Sequence, residues 1–200
     1  PEDGNITHLL RRSQRRTEAD ISIKIDKWGL NFGIDMSGVI SANKDSTFPL
    51  MEDLSTIYIP PNDVLAIYPG FAASYKKREL SFDQTYYDIC RALEPTPLKQ
   101  KELNLDKVND ALEKLLLGKV IQKGDRFYVR GKNHETMLEA HLLAEGHRKI
   151  VALVHLINNG SINSNTILFW DEPEANLNPV LTRSIVKCLI GLVEVGAVAG

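Results

Sequence analysis

Apolar and polar residues alternate in two short segments near the N-terminus of the chain. Isoleucines alternate with polar residues over 21–25, and larger apolar residues repeat the alternation over 30–34. A period of two is typical of strands with one buried face, so the two segments predict an antiparallel hairpin. The residues 57–59 form a further short apolar run that Pro60 stops, which predicts one more strand.

The pattern becomes helical from about residue 62 to residue 117. Asn62 is a candidate N-cap, and Asp83 to Leu93 and Asp106 to Leu117 have the spacing of amphipathic helices. Prolines at positions 95 and 97 interrupt the helical pattern between these two helices. Residues 119–131 then predict a strand pair, with Lys123-Gly124-Asp125 as the turn.

The C-terminal part predicts a helix, a strand and a second helix, at 147–158, 166–171 and about 179–195. Residues 150, 153, 154 and 157 share one helical face, and Gly160 is suited to the left-handed position after the helix end. This order is typical of an α/β unit.

The most informative motif lies at the end of the predicted strand. Four apolar residues, 167–170, lead directly into Asp171, Glu172 and Pro173. Such a run is typical of a strand buried on both faces, and its carboxyl end is where a parallel sheet presents its ligand crevice. Two carboxylates there suit phosphoryl transfer, because one can hold Mg²⁺ while the other orients or deprotonates the attacking water. The alternative is a polar strand exit with a turn enforced by proline.

A second motif, Leu142-Leu143-Ala144-Glu145-Gly146-His147-Arg148-Lys149, precedes the helical run, and Gly146 lies 25 residues before Asp171. A glycine at a helix start lets backbone N–H groups approach a phosphate, and the helix dipole favours the anion. Taken alone, this segment would be a solvated helix start.

The later motif resembles the Walker B motif and D-loop of ABC-type ATPases, the superfamily that includes SMC, RecF-like and OLD-like proteins. The earlier one resembles their signature motif, commonly Leu-Ser-Gly-Gly followed by a charged residue. The combination is similar to bacterial AAA-type ATPases of anti-phage systems, including the ATPase subunit of Septu-type defence. The likeness covers roughly residues 55–190 and is sharpest between 142 and 179.

The resemblance implies a role for each matching residue. Asp171 would be the Mg²⁺ ligand and Glu172 the catalytic base. The residues of the D-loop would be Ala175, Asn176, Leu177 and Asn178. Ala144 stands where the family usually has serine and Glu145 where it has the first glycine. This departure leaves Gly146 and the helix start as the expected ATP contacts, with Arg148 and Lys149 assisting.

The resemblance also implies the fold and the partners. We expect an α/β fold of the P-loop NTPase (ABC-ATPase-like) type, with a mixed sheet core, an antiparallel β-subdomain and a helical lobe. Residues 20–60 would be the β-rich part, 62–145 the helical lobe with a β-hairpin, and 146–200 the signature helix, the Walker B strand and the following helix. ATP would be sandwiched in a homodimer or higher even oligomer, whose switching would control a nuclease or another effector partner.

One expected motif is missing. No Gly-x-x-x-x-Gly-Lys-Ser/Thr occurs in the 200 residues, and the chain begins with Pro1. We therefore expect residues 1–200 to form one incomplete ABC-type ATPase domain. Hydrolysis is expected of the intact protein, and whether this part binds ATP without Walker A stays open.

The composition limits the classes of protein to which the chain can belong. The hydrophobic content of 43% excludes wholesale disorder, and no apolar run is long enough to span a membrane. Two scattered cysteines without metal-ligand spacing predict reduced core thiols, and with them a cytoplasmic protein.

Two other classes of function stay open from the sequence. A net charge of −2 gives no overall attraction to nucleic acid, but the four arginines within residues 11–16 could grip phosphates. The chain could thus be a nucleic-acid-binding fragment, or a non-hydrolysing interaction module that docks a partner through the helical block. A solvated basic turn is the plainer interpretation of 11–16, since no interleaved aromatic residue offers a base a stacking surface.

Overall fold

The computed structural model has an α/β architecture, and it describes residues 18–25, 28–35, 37, 40–42, 54–77, 80–99, 105–131, 137–196 and 198–199. The chain divides into two compact units, Pro1–Glu52 and Asp53–Gly200. The arginine-rich segment 11–16 lies outside the described residues.

The first unit holds a three-stranded antiparallel sheet. Strand β1 (Glu18–Ile25) pairs with β2 (Trp28–Asp35), and β2 pairs with β3 (Ile40–Ala42). The register aligns Glu18 with Asp35 and Ile25 with Trp28, so the alternating segments run side by side over their whole length. The predicted hairpin is confirmed, and β3 extends it.

The second unit begins with one strand, β4 (Ser55–Ile59), and four helices. The helices are α1 (Val64–Ile67), α2 (Phe71–Lys76), α3 (Gln84–Leu93) and α4 (Asp106–Leu115). Asp83 caps α3 by accepting from the amide of Thr85 at 2.9 Å. The N-cap of α1 is Asp63, one residue after the predicted Asn62, because the Asp63 carboxylate accepts from the amides of Leu65 and Ala66.

A second antiparallel sheet follows the helices. Strands β5 (Gly118–Lys123) and β6 (Arg126–Gly131) form the predicted pair, and β7 (Met137–Glu139) adds a third strand beside β6. The turn is built on Gly124, whose φ of +60° is accessible to glycine without strain. A short 3₁₀ turn (Ala140–Leu142) leads from β7 towards the next helix.

The C-terminal elements are α5 (Glu145–Asn158), β8 (Thr166–Trp170), α6 (Pro179–Glu194) and β9 (Val198–Ala199). Helix α5 closes as predicted, with Asn159 at the cap and Gly160 at a φ of +80°. Burial of α5 extends beyond the one predicted face, because every residue from Lys149 to Asn158 is buried. Helix α5 therefore crosses the middle of the core rather than covering one side of it.

Strand β8 is the centre of a parallel sheet with β4 on one side and β9 on the other. We predicted that residues 55–59 belong to the β-rich part 20–60. This prediction was wrong, because β4 pairs with β8 and belongs to the second unit. Pairing of β4 and β8 joins residues 111 positions apart along the chain, as in Ser55 and Thr166, and no local pattern reports such a partner.

Both cysteines are buried and free, as predicted. Cys90 lies on α3 and Cys188 on α6. Burial raises the pKa of the Cys90 thiol to about 12, with a smaller contribution from the nearby charge of Glu94, so this thiol stays protonated. The two cysteines are therefore packing residues rather than nucleophiles.

Candidate functional site

Asp171 directly follows β8 and therefore lies at the end of the parallel sheet where its strands have their carboxyl ends. The Asp171 amide continues the ladder by donating to the carbonyl oxygen of Ile59 at 3.0 Å. Leu168 and Trp170 are buried while Phe169 between them is exposed, so Asp171 follows on the Phe169 side of the strand. Tyr58 lies opposite Phe169 in the register and shares this side.

Tyr58 also belongs to the site, although the sequence did not identify it as a site residue. Its phenol donates to Oδ2 of Asp171 at 3.2 Å. Desolvation raises the pKa of the Tyr58 phenol, and the hydrogen bond to Asp171 and its negative charge raise it further, so the donor keeps its proton. The signal that could have found it is the pairing of the two short apolar runs, at 57–59 and 167–170, as neighbouring parallel strands.

The loop after Asp171 carries two residues in the left-handed region. Glu172 has a φ of +47° and Asn176 a φ of +62°. Asparagine tolerates this conformation, but for glutamate it costs about 1–2 kcal/mol. The turn is closed by the amide of Ala175, which donates to the Glu172 carbonyl at 3.0 Å, and by that of Leu177, which donates to the Glu174 carbonyl at 3.2 Å. Strain held by surrounding contacts in this way is characteristic of functional loops.

Asn178 ends the loop by capping α6. Its side chain accepts from the amides of Val180 and Leu181, at 3.0 and 2.9 Å, and Pro179 occupies the first helical position. A cap of this kind stabilises a helix by about 1 kcal/mol. The sequence Asn178-Pro179 therefore fixes where the loop stops, and Asn178 is turned towards α6.

Lys149 joins the start of α5 to this loop. Its side chain is 6% exposed, and its ammonium donates to the carbonyl oxygens of Glu172 at 3.3 Å and Ala175 at 3.2 Å. Hydrogen bonds from a charged donor are worth about 1.5–3 kcal/mol each when well formed. Lys149 thus contacts the loop backbone, rather than projecting into solvent where a phosphate would meet it.

Gly146 lies directly against the same loop. A Cβ built on Gly146 would lie 2.6 Å from Cδ2 of Leu177 and 2.7 Å from the carbonyl oxygen of Asn176, so no larger residue fits without movement. Beside it, the Nδ2 of Asn176 donates to Oε1 of Glu145 at 2.7 Å. Three of the residues predicted from two separate motifs, Gly146, Asn176 and Leu177, are therefore in contact.

The start of α5 is held on its other side by Arg148. The Arg148 guanidinium pairs with the Asp63 carboxylate and donates to the carbonyl oxygens of His141 and Leu143. Asp63, which also caps α1, was not singled out by the sequence. Its signal is an aspartate placed just before a short apolar run.

The N-cap of α5 is Ala144, which has no side-chain acceptor to offer. Among the residues that the structure describes, no side chain accepts from the first amides of α5, although the carbonyl oxygen of Ala144 accepts from the amides of His147 and Arg148. The positive end of the dipole of α5 is consequently available to an anion. Glu145 is the acidic residue nearest to that end.

The side chains at the end of β8 can supply only some of the oxygen ligands that one Mg²⁺ ion needs. Asp171 and Glu172 are both exposed, and neither forms an ion pair with a described residue. Within the described part of the chain, no group of three His, Cys, Asp or Glu side chains is arranged to bind a metal ion. These residues fit Mg²⁺ only as one protein ligand shared with phosphate oxygens and water, which is how Mg²⁺ is commonly held.

Comparison with known proteins assigns no family to the chain. No protein-family model matches it, and no curated protein matches it significantly. Among the described residues, no helix combines the length and apolarity needed to cross a membrane.

Proposed function

We propose that this chain is part of the ATP-binding and hydrolysing head of a bacterial ABC/SMC-like ATPase with a P-loop NTPase fold. The observation that carries the proposal is the contact between Gly146 and the loop residues Asn176 and Leu177. Two motifs that resemble the signature and D-loop sequences thereby lie side by side, next to two exposed carboxylates at the end of a parallel strand.

In this proposal each group has a distinct task. Asp171 is the protein ligand of Mg²⁺, which when bound would neutralise charge on the phosphate oxygens of ATP. Glu172 orients and deprotonates the attacking water, and Tyr58 holds the Asp171 carboxylate by its hydrogen bond. Lys149 keeps the Glu172 backbone in place. The uncapped start of α5 attracts the γ-phosphate of an ATP bound by a second protomer.

The resemblance extends the proposal to the biological role. ATP-driven dimerisation, as a homodimer or a higher even oligomer, would switch a nuclease or another effector in cytoplasmic anti-phage defence. These 200 residues contain no Walker A sequence, so the proposal assigns the phosphate cradle to another part of the intact protein.

The decisive experiment is ATP turnover and dimerisation of the complete gene product. Glu172→Gln should abolish turnover and accumulate ATP-bound dimers, because ATP still binds while water is no longer activated. Asp171→Asn should weaken Mg²⁺-dependent ATP binding. The matched control is Glu174→Gln, since Glu174 is an exposed carboxylate two residues further along the same loop. Equal turnover in Glu172→Gln and Glu174→Gln would remove Glu172 from the role of base.

A further inference from the structure

Helix α6 carries an apolar stripe that faces solvent, on a different side from the residues that it buries in the core. Val186, Ile190 and Val193 form this α6 stripe, and they are 50, 54 and 50% exposed. Their spacing of four and three positions places them in one row along the helix. Single exposed apolar residues are common on protein surfaces, but a row of three beside a cavity indicates an interaction surface.

A cavity of about 430 Å³ lies along the α6 stripe. The stripe residues line it together with Leu168, Trp170, Pro173 and Leu189. Among the described lining residues, Glu194 is the one that carries a charge. Walls of this kind gain nothing from an ionic ligand, whereas the aliphatic side chains of a docked helix would remove them from water.

Charged residues accompany the α6 stripe along one flank. Arg183 and Lys187 precede Ile190 on the helix, and Glu194 follows it. At about 100° per residue, the three charged side chains lie on the same side of the stripe. None of the three forms an ion pair with a described residue. The flank therefore has free positive charge towards one end and free negative charge at the other.

This distribution of charge is complementary to itself when two copies of α6 pack antiparallel. With a two-fold axis beside Ile190, that residue meets the partner's Ile190, and Val186 lies near Val193 of the partner subunit. The same symmetry keeps both charged flanks on one side of the pair and brings Lys187 next to Glu194 of the partner subunit, twice in each dimer. A parallel pair would put the flanks on opposite sides, where these charges do not meet.

We infer that α6 is a self-association helix, through which two copies of this chain form an antiparallel dimer. The α6 stripes of the two copies pack against each other, and their aliphatic side chains fill the adjoining cavities. This dimer needs no nucleotide, so it goes beyond the ATP-dependent dimer of the proposed function and does not depend on it. Permanent dimers bury about 2,000 Å² or more, and a pairing centred on one helix is weaker. We expect a dissociation constant of about 10–100 μM, so that the chain is monomeric when dilute.

Sedimentation equilibrium of the 200-residue chain without nucleotide tests this dimer. Ile190→Asp should weaken association by about a hundredfold, because it removes an apolar contact from each copy and brings two carboxylates together at the axis. The matched control is Val180→Asp, since Val180 is also exposed on α6 but opposes a position beyond the end of the partner's helix. The control should associate like the unmodified chain, and circular dichroism checks that both variants fold.

Charge substitutions test the antiparallel direction. Lys187→Glu and Glu194→Lys should each weaken the dimer by about tenfold, because each brings like charges together twice. The double variant, Lys187→Glu with Glu194→Lys, should restore association to that of the unmodified chain. The two positions are seven residues, or about 10.5 Å, apart along the helix, so this recovery has to arise between two copies.

Three results would overturn the inference. A dissociation constant weaker than about 1 mM for the unmodified chain would leave the α6 stripe to another part of the intact protein. A dimer that tolerates Ile190→Asp would place the interface elsewhere, and a double charge variant that stays weak would exclude the antiparallel pairing. Asp171→Asn, which alters the proposed ATP site, should leave this nucleotide-free dimer unchanged, so the failure of either proposal is recognised separately.

Discussion

The ammonium of Lys149 donates to the carbonyl oxygen of Glu172 at a distance of 3.3 Å. The same ammonium reaches the carbonyl oxygen of Ala175 at 3.2 Å, so one side chain of α5 holds both ends of a four-residue turn. The turn includes Glu172 at a φ of +47°, a conformation that costs about 1–2 kcal/mol for a residue with a side chain. Lys149 is thus a positioning residue for the proposed catalytic base.

Replacing Lys149 by methionine should loosen this loop. Methionine retains the length and apolar stem of the side chain but cannot donate to either carbonyl. We expect a loss of about 1–3 kcal/mol in the free energy of unfolding, because both charge-assisted hydrogen bonds of Lys149, at 3.3 and 3.2 Å, are removed. Amide hydrogen exchange at Ala175 and Leu177 should accelerate, because both amides donate within the loop that Lys149 holds.

The matched control for this change is Lys187→Met. Lys187 lies on the exposed side of α6, and its replacement should change the stability by no more than about 0.5 kcal/mol. Slow exchange at Ala175 that persists in Lys149→Met would show that the loop holds itself without the lysine. If the proposed function is correct, Lys149→Met in the complete protein should also lower ATP turnover while the affinity for ATP is retained.

Gly146→Ala tests the contact between α5 and the loop. The added methyl group would meet Cδ2 of Leu177 at 2.6 Å and the carbonyl oxygen of Asn176 at 2.7 Å. Overpacking costs about 1–3 kcal/mol, and the upper part of this range applies here because one of the two close atoms is a backbone oxygen that cannot rotate away. This cost exceeds the roughly 1 kcal/mol that alanine contributes to a helix over glycine. We therefore expect a net loss of stability in urea unfolding.

A double variant separates the two clashes of Gly146→Ala. Leu177→Ala removes the flexible side chain but leaves the Asn176 backbone in place, so it should not restore stability to Gly146→Ala. Gly191→Ala is the comparison within a helix, because among the described residues its Cβ would meet a single atom, Cγ2 of Val108, at 3.0 Å. A Gly146→Ala protein as stable as the unmodified chain would show that the contact is loose.

Elements defined by local patterns were predictable from the sequence. The hairpin of β1 and β2, the pair of β5 and β6, and helix α5 each follow from periodicity and turn residues within one segment. The parallel pairing of β4 with β8 was not predictable in this way, because its hydrogen bonds join strands that are more than 100 residues apart. For the same reason the complete burial of α5, which depends on several distant elements, exceeds the single face seen in its sequence.

The candidate site shows the same division. Gly146 and the residues 171–178 carry motif signals, and the structure brings Gly146 into contact with Asn176 and Leu177. Tyr58 and Asp63 carry no motif, and they take part only because β4 and α1 fold beside β8 and α5. The cations were expected to face a phosphate, but Arg148 and Lys149 contact protein acceptors, an arrangement set by long-range packing.

Asp63 has two tasks that two substitutions can separate. Its carboxylate caps α1 through the amides of Leu65 and Ala66 and pairs with Arg148, with side chains only 11% and 19% exposed. Asp63→Asn keeps a side-chain oxygen for the cap but removes the charge, whereas Asp63→Ala removes both. We expect Asp63→Ala to be less stable than Asp63→Asn by about 1 kcal/mol, the usual worth of a cap. Equal thermal stability of the two variants would assign the whole effect of Asp63 to Arg148.

His155 makes the stability of the second unit depend on pH. The ring is 0% exposed, and its Nε2 donates to the carbonyl oxygen of Leu93 at 2.9 Å in the neutral tautomer. Burial lowers the pKa of His155 below its ordinary value of 6.5, against a smaller raising effect of the backbone contacts at Leu93 and Pro95. The unfolded chain therefore binds a proton that the folded chain does not, once the pH falls below about 6.5.

The contribution of His155 should thus be complete above about pH 6.5 and be lost as the pH falls from there towards the lowered pKa of the folded state. The slope that this one group adds is at most about 1.4 kcal/mol per pH unit. His155→Gln, whose amide can still donate to Leu93, removes the titration, although it also removes the ring contact with Phe127. We expect urea unfolding between about pH 5 and 7.5 to show a steeper decline for the unmodified chain than for His155→Gln. Parallel curves, offset by a constant amount, would mean that the folded chain protonates His155 as readily as the unfolded one.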